Sequence, residues 1–98
     1  MRRLQMKLVS NAKYGEPLEN GTIFTADIRD AKITIHRLIH LEGWWLSCYE
    51  LGIEAQKLKS ETITDAIEES KEILKAKVAI LEKAIEIFSN DTVEFSKY

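Results

Sequence analysis

Residues 31–51 read AKITIHRLIHLEGWWLSCYEL, and the fold turns on them. In residues 31–41 Ile33, Ile35, Ile39 and Leu41 share one parity, broken only by Arg37, while Thr34, His36, Leu38 and His40 share the other. β-Branched side chains sit well on a pleated surface and crowd a helix, so the run reads as a strand. Glu42-Gly43 turns the chain back, because glycine tolerates positive φ, and residues 44–51 return antiparallel. Trp44, Leu46 and Cys48 then face one way, and Trp45, Ser47 and Tyr49 the other.

Working outward, residues 22–28 (TIFTADI) place Phe24, Ala26 and Ile28 opposite in facing to Ile23, Thr25 and Asp27, and a polar Arg29-Asp30 pair ends them. Residues 2–10 (RRLQMKLVS) alternate Leu4, Met6 and Leu8 with Arg3, Gln5 and Lys7, the pattern of a half-buried strand. Between these two segments, residues 11–21 (NAKYGEPLENG) hold two glycines, the single proline and two asparagines, and read as a loop.

The period becomes helical from Thr62 to about Ser89. Ile63, Ile67, Leu74, Leu81, Ile85 and Phe88 form one stripe, with Ala66, Ile73, Ile80 and Ile87 beside it, and Glu68, Glu72, Lys75, Glu82, Lys83 and Glu86 lie opposite. Thr62 stands as the N-cap with Asp65 three residues on, where the helix dipole favours an acid. A helix of about 27 residues is about 40 Å long, whereas an eight-residue strand spans about 27 Å. The helix therefore overhangs its sheet. Its second half carries more apolar surface than one sheet-facing stripe requires, and Ile80, Leu81, Ile85, Ile87 and Phe88 suit a second copy of the same helix. The alternative is a break near Lys77 that folds the last turns back on the core. Ser89-Asn90-Asp91 ends the helix, and residues 92–95 (TVEF) return as a short edge strand. The expected fold is a single α+β domain over residues 1–98: an antiparallel sheet of four or five strands on one long C-terminal helix.

At 98 residues the chain has room for one core. With 45% hydrophobic and 31% charged residues it has the composition of a soluble globular domain. Residues 1–42 hold seven basic and five acidic side chains, and residues 43–98 seven and eleven, so the second part is acidic. Nucleic-acid binding needs clustered Lys and Arg, which makes nucleic acid a poor ligand and a basic protein a better partner. Cys48 is the only cysteine, so neither an intramolecular disulfide nor a cysteine-based zinc site is available, and a cytoplasmic setting fits. The first residues lack a signal-peptide core, and no run is apolar enough to span a membrane.

Candidates for chemistry are few. His36 and His40 on one strand face would stand about 13 Å apart, too far to share a metal. Cys48 comes near His36 or Arg37 across the expected turn, yet no glycine-rich turn or helix start offers an oxyanion site beside it, and a small core hydrophobe is the simpler role. Asp27 and Asp30 would serve a magnesium-dependent hydrolase, although aspartates at a hairpin end also serve the turn itself. The expectation is a protein that is not an enzyme and has no cofactor. One of Trp44 and Trp45 joins the core, and the other lies on the sheet's second face with Tyr49 and its His and Thr neighbours. The candidate binding residues are Trp44, Trp45, Tyr49, Arg37 and His36.

Residues 43–74 (GWWLSCYELGIEAQKLKSETITDAIEESKEIL) resemble the HicB antitoxin family, in which a Gly-aromatic strand ending in Pro-Glu-Leu leads through a crossing segment to a long helix. Gly43, Trp44, Glu50, Leu51, Gly52, Thr62, Ala66, Glu69, Glu72 and Ile73 stand at matching places, and the likeness extends over residues 22–96. Tyr49 replaces the usual proline, only Gly52 remains of the following Pro-Gly, Ser60 stands where glycine is common, and an additional N-terminal strand is present. No DNA-binding segment follows within these residues. The resemblance implies a partial ribonuclease-H-like fold and a small protein that sheathes and inhibits a basic toxin, without DNA binding. Inhibition of a host defence protein by a phage or mobile element is a close relative of that role. A second reading is a nucleotide-sequestering protein, with Trp44 or Trp45 stacking a base and Arg29 or Arg37 holding phosphate.

Overall fold

The alternation in residues 22–36 becomes a two-stranded hairpin, and the sheet grows from it. The computed structural model describes residues 8–38, 41–92 and 94–97. Strand β2 (Ile23–Ile28) pairs antiparallel with β3 (Ala31–His36), setting Phe24 opposite Ile35 and Ala26 opposite Ile33 on the face that carries the core. Ile28 and Ala31 close the hairpin around Arg29-Asp30, and Arg29 takes φ 54°. Strand β1 (Val9–Ser10) flanks β2, with Val9 opposite Thr25 and Leu8 packed against the core. The earlier part of the expected first strand, with Leu4 and Met6, lies outside the described residues.

Strand β4 (Trp45–Cys48) joins β3 with Leu46 opposite Ile35, Trp45 opposite His36 and Ser47 opposite Thr34. This register corrects the expected tight turn at Glu42-Gly43. The third strand ends at His36 instead of Leu41, and residues 37–44 form the connection; Ile39 and His40 lie outside the described residues. A two-residue turn would have put Glu50 opposite Ile35 and Cys48 opposite Arg37 on the core face. The observed register keeps both charges out of the core. The Arg37 amide instead donates to the Thr22 carbonyl at 2.9 Å, and the Leu41 amide to that of Leu38 at 3.2 Å. The expected approach of Cys48 to Arg37 is thereby lost.

A 3-10 turn at Tyr49–Leu51 follows, and Gly52, at φ 73°, turns the chain into β5 (Ile53–Lys57). Strand β5 pairs with β4 through Trp45–Lys57, Leu46–Gln56 and Cys48–Ile53, with a bulge where Ser47 faces both Glu54 and Ala55. The five strands lie in the order β1-β2-β3-β4-β5, all antiparallel. The fifth strand is thus IEAQK, whereas the described residues of TVEF belong to no strand.

Helix α1 (Ile63–Asn90) starts at the expected cap, where the Thr62 hydroxyl accepts from the Asp65 amide at 3.2 Å. It runs without a break through Lys77. Ile63, Ala66 and Ser70 are buried against the sheet, Ile67, Ile73 and Leu74 are half-buried, and every residue from Val78 to Asn90 is exposed. The radius of gyration of 17.4 Å, against about 13 Å for a compact domain of this length, reflects that overhang. Phe24, Ile35, Trp44, Leu46, Cys48, Ile53, Leu58, Ile63 and Ala66 form the core between sheet and helix.

Candidate functional site on the sheet face away from the helix

Because successive strand residues face opposite ways, each side chain that does not meet α1 joins a second surface. The registers line up Ile23, His36, Trp45 and Lys57 in one row across β2 to β5, and Val9, Thr25, Thr34 and Ser47 in the next across β1 to β4. Val9 is 66% and Ile23 44% exposed, and Tyr49, just past β4, is 71% exposed. Lys32, Thr34, His36, Ser47 and Tyr49 enclose a shallow pocket of about 280 Å³ on this face.

The expected binding residues divide between the two sides. Trp45 and His36, both half-buried, and exposed Tyr49 belong to the face away from α1. Trp44 does not: it is 2% exposed, meets Phe24 edge-on with ring centroids 5.7 Å apart, and donates its indole N–H to the Glu61 carbonyl at 3.2 Å. The Arg37 guanidinium lies over the Trp44 ring at 4.4 Å. Trp44 and Arg37 therefore satisfy each other at the rim of the core, and Trp44 is corrected from a contact residue to a core residue. Lys57 Nζ stands 5.7 Å from the Trp45 ring centroid, and the Trp45 indole N–H is buried without an acceptor among the described residues.

Ser47 lies at the centre of this face. Its hydroxyl donates to the Glu54 carbonyl and stands 3.0 Å from His36 Nε2. The three residues link β3 through β4 to the bulge of β5.

Glu50 ties the turn after β4 to β3. Its carboxylate accepts from the Lys32 amide at 2.9 Å, and that bond, with one from its own backbone, lowers its pKa from the ordinary 4.5. Burial pushes the Cys48 thiol up from 9.0, and at 1% exposure the side chain acts as the small hydrophobe its parity implied. Among the described residues no three His, Cys, Asp or Glu side chains gather as a metal site. No described helix is long and apolar enough to cross a membrane.

Lys32 and Lys57 are additional members of the face. Lys32 shares the parity of Thr34 and His36 and was legible in the sequence. Lys57 depends on β5, whose single buried residue, Ile53, leaves no alternation to read. In comparisons with protein-family models, curated proteins and solved structures, nothing matched this chain.

Proposed function

We propose that the chain is a non-enzymatic binding protein that inhibits a protein target in the cytoplasm, of the antitoxin or counter-defence kind, and that it acts as a homodimer joined by the overhanging half of α1. The observation that carries this reading is the row Ile23–His36–Trp45–Lys57 on the sheet face away from α1, with Ile23 and Lys57 exposed and His36 and Trp45 half-buried, flanked by exposed Tyr49. Aromatic and β-branched side chains on a rigid sheet lose little entropy on contact and anchor interfaces well. The resemblance to HicB antitoxins supports the inhibitor class. Glu68, Glu72, Glu82 and Glu86 on the exposed side of α1 would steer the protein toward a basic target, while Lys32 and Lys57 make the contact face itself mildly positive.

One observation favours a second reading, small-ligand binding: Trp45 has a lysine over its ring and a second lysine in the adjoining pocket, the elements of base stacking with phosphate contact. Intrinsic fluorescence separates the two. The inhibitor reading expects a flat titration with adenine, guanine, cytosine and uracil nucleotides, with and without magnesium. Saturable quenching that disappears in Trp45→Phe overturns it and makes the face a nucleotide site.

A further inference from the structure

Strand register hollows the face that carries Trp45. Thr34 and Ser47 stand opposite each other on β3 and β4, and both side chains are short. Lys32 and His36, two residues to either side of Thr34 on β3, face the same way. Tyr49 follows Ser47 by two residues, where β4 passes into the 3-10 turn. Three long side chains therefore stand around two short ones, and the space between them is the pocket of about 280 Å³. Its floor is built on paired strands, so it is formed before any group enters it.

What the hollow offers is donors. The side-chain bonds around it are made by Glu50, His36 and Ser47, whose hydroxyl is committed to the Glu54 carbonyl. Among the described residues the Lys32 ammonium, the Thr34 hydroxyl and the Tyr49 phenol have no hydrogen-bond partner, and the ion pairs all lie on α1. No acidic residue lines the hollow. Asp27 stands opposite Lys32 on β2 and forms no ion pair with it, and Glu50 spends its carboxylate on the Lys32 amide.

We infer that this hollow is the socket for a single carboxylate, an Asp or Glu side chain of the protein target, which rests on the inhibitor reading. Charge selects the carboxylate over a phosphoryl group. A carboxylate carries one negative charge and only acceptor sites, which one ammonium and two hydroxyls satisfy. A phosphoryl group brings a charge of about −1.5 to −2. Lys32 is the single lysine in the lining, no arginine joins it, and Asp27 and Glu50 stand close enough to repel the excess. Trp45 is the next residue of β4 on this face, opposite His36, so one target segment reaches the socket and the aromatic row together. A target drawn by the acidic side of α1 is then held in one orientation by its own acid at Lys32.

The experiment follows the Lys32, Thr34 and Tyr49 resonances of the full chain by NMR during titration with N-acetylglutamate methylamide, its glutamine counterpart and inorganic phosphate. The expected result is a saturable shift of these residues with the glutamate probe, none with the glutamine probe, and affinity about fivefold or more weaker in Lys32→Gln, the scale of one partly exposed ion pair. Lys32→Gln keeps the amide that bonds Glu50 and so leaves the fold in place. No saturable shift, or equal affinity in Lys32→Gln, overturns the socket. Tighter binding of phosphate than of the glutamate probe overturns the carboxylate and makes the hollow a phosphate site. Capture of target from cells separates the socket from the reading beneath it. A target lost from Trp45→Ala but held equally by wild type and Lys32→Gln overturns the socket alone. Equal recovery on all three overturns the contact face and the socket together.

Discussion

The guanidinium of Arg37 stands 4.4 Å above the ring of Trp44, and this contact settles the use of both residues. It closes the end of the core where the chain leaves β3 and returns as β4. Arg37→Ala should lower stability by about 1 kcal/mol, the scale of a partly exposed cation–π contact, and Arg37→Lys should recover part of it. Urea unfolding measures the loss. Binding through Trp45 and Tyr49 should be unchanged.

Glu69 is the clamp between β5 and α1. Its carboxylate accepts from the Lys59 amide, the Ser60 amide and the Ser60 hydroxyl at 2.7–2.9 Å. Glu69→Ala should cost about 2 kcal/mol, in the range for hydrogen bonds to a charged group, and Glu69→Gln less, since one acceptor oxygen remains. Chemical denaturation of the three proteins at neutral pH checks the order.

The same carboxylate makes stability depend on acid. Partial burial works to raise the Glu69 pKa, but the Lys59 and Ser60 hydrogen bonds outweigh it and hold the carboxyl below 4.5. Glu50 is lowered as well, chiefly by the Lys32 amide. For a carboxyl lowered on folding, the stabilisation is complete above the unfolded value and is lost as pH falls through the folded one. Stability should therefore be level from neutral pH down to about 4.5 in these two groups and decline below it, less steeply in Glu69→Gln. Cys48 acts at the opposite end: its raised pKa removes stability as pH climbs above 9.0. Denaturant midpoints measured across pH test both ends.

Ser70 is 2% exposed in the middle of α1, and its hydroxyl has no partner among the described residues. Alanine has the higher helix propensity and leaves no polar atom unpaired. Ser70→Ala should stabilise the protein by about 1 kcal/mol, seen as a shift to higher denaturant at constant slope.

Arg29 holds φ 54° at the first position of the β2–β3 turn, where a β-carbon is crowded and glycine is at ease. Arg29→Gly should raise stability by about 0.5–1 kcal/mol after the greater freedom of glycine in the unfolded chain is counted. Thermal melts of the two proteins decide it.

Much of this architecture is legible in the residues because the two periods are clean. Phe24, Ala26, Ile33 and Ile35 alternate and pair face to face, and the Thr62 cap with its 3.6-residue stripe marks α1. The end of β3 is not legible, because Ile39 and Leu41 continue the parity of Ile35 and only register shows where pairing stops. Strand β5 escapes for a different reason: an edge strand with one buried residue has no alternation. Parity alone brings His36, Trp45 and Ser47 to one face. It does not reveal that Arg37 covers Trp44, since that contact depends on the long connection between β3 and β4.

The most direct test of the binding face is quantitative capture of target from cells in which the protein is made, with three baits compared: wild type, the double variant Trp45→Ala/Tyr49→Ala, and Leu81→Glu. A protein held by wild type and by Leu81→Glu, but depleted about tenfold or more on the double variant, is the predicted result, since aromatic anchors each carry about 1–2 kcal/mol or more. Equal recovery on wild type and the double variant would contradict the account, because the sheet face that carries Trp45 and Tyr49 would then have no part in recognition.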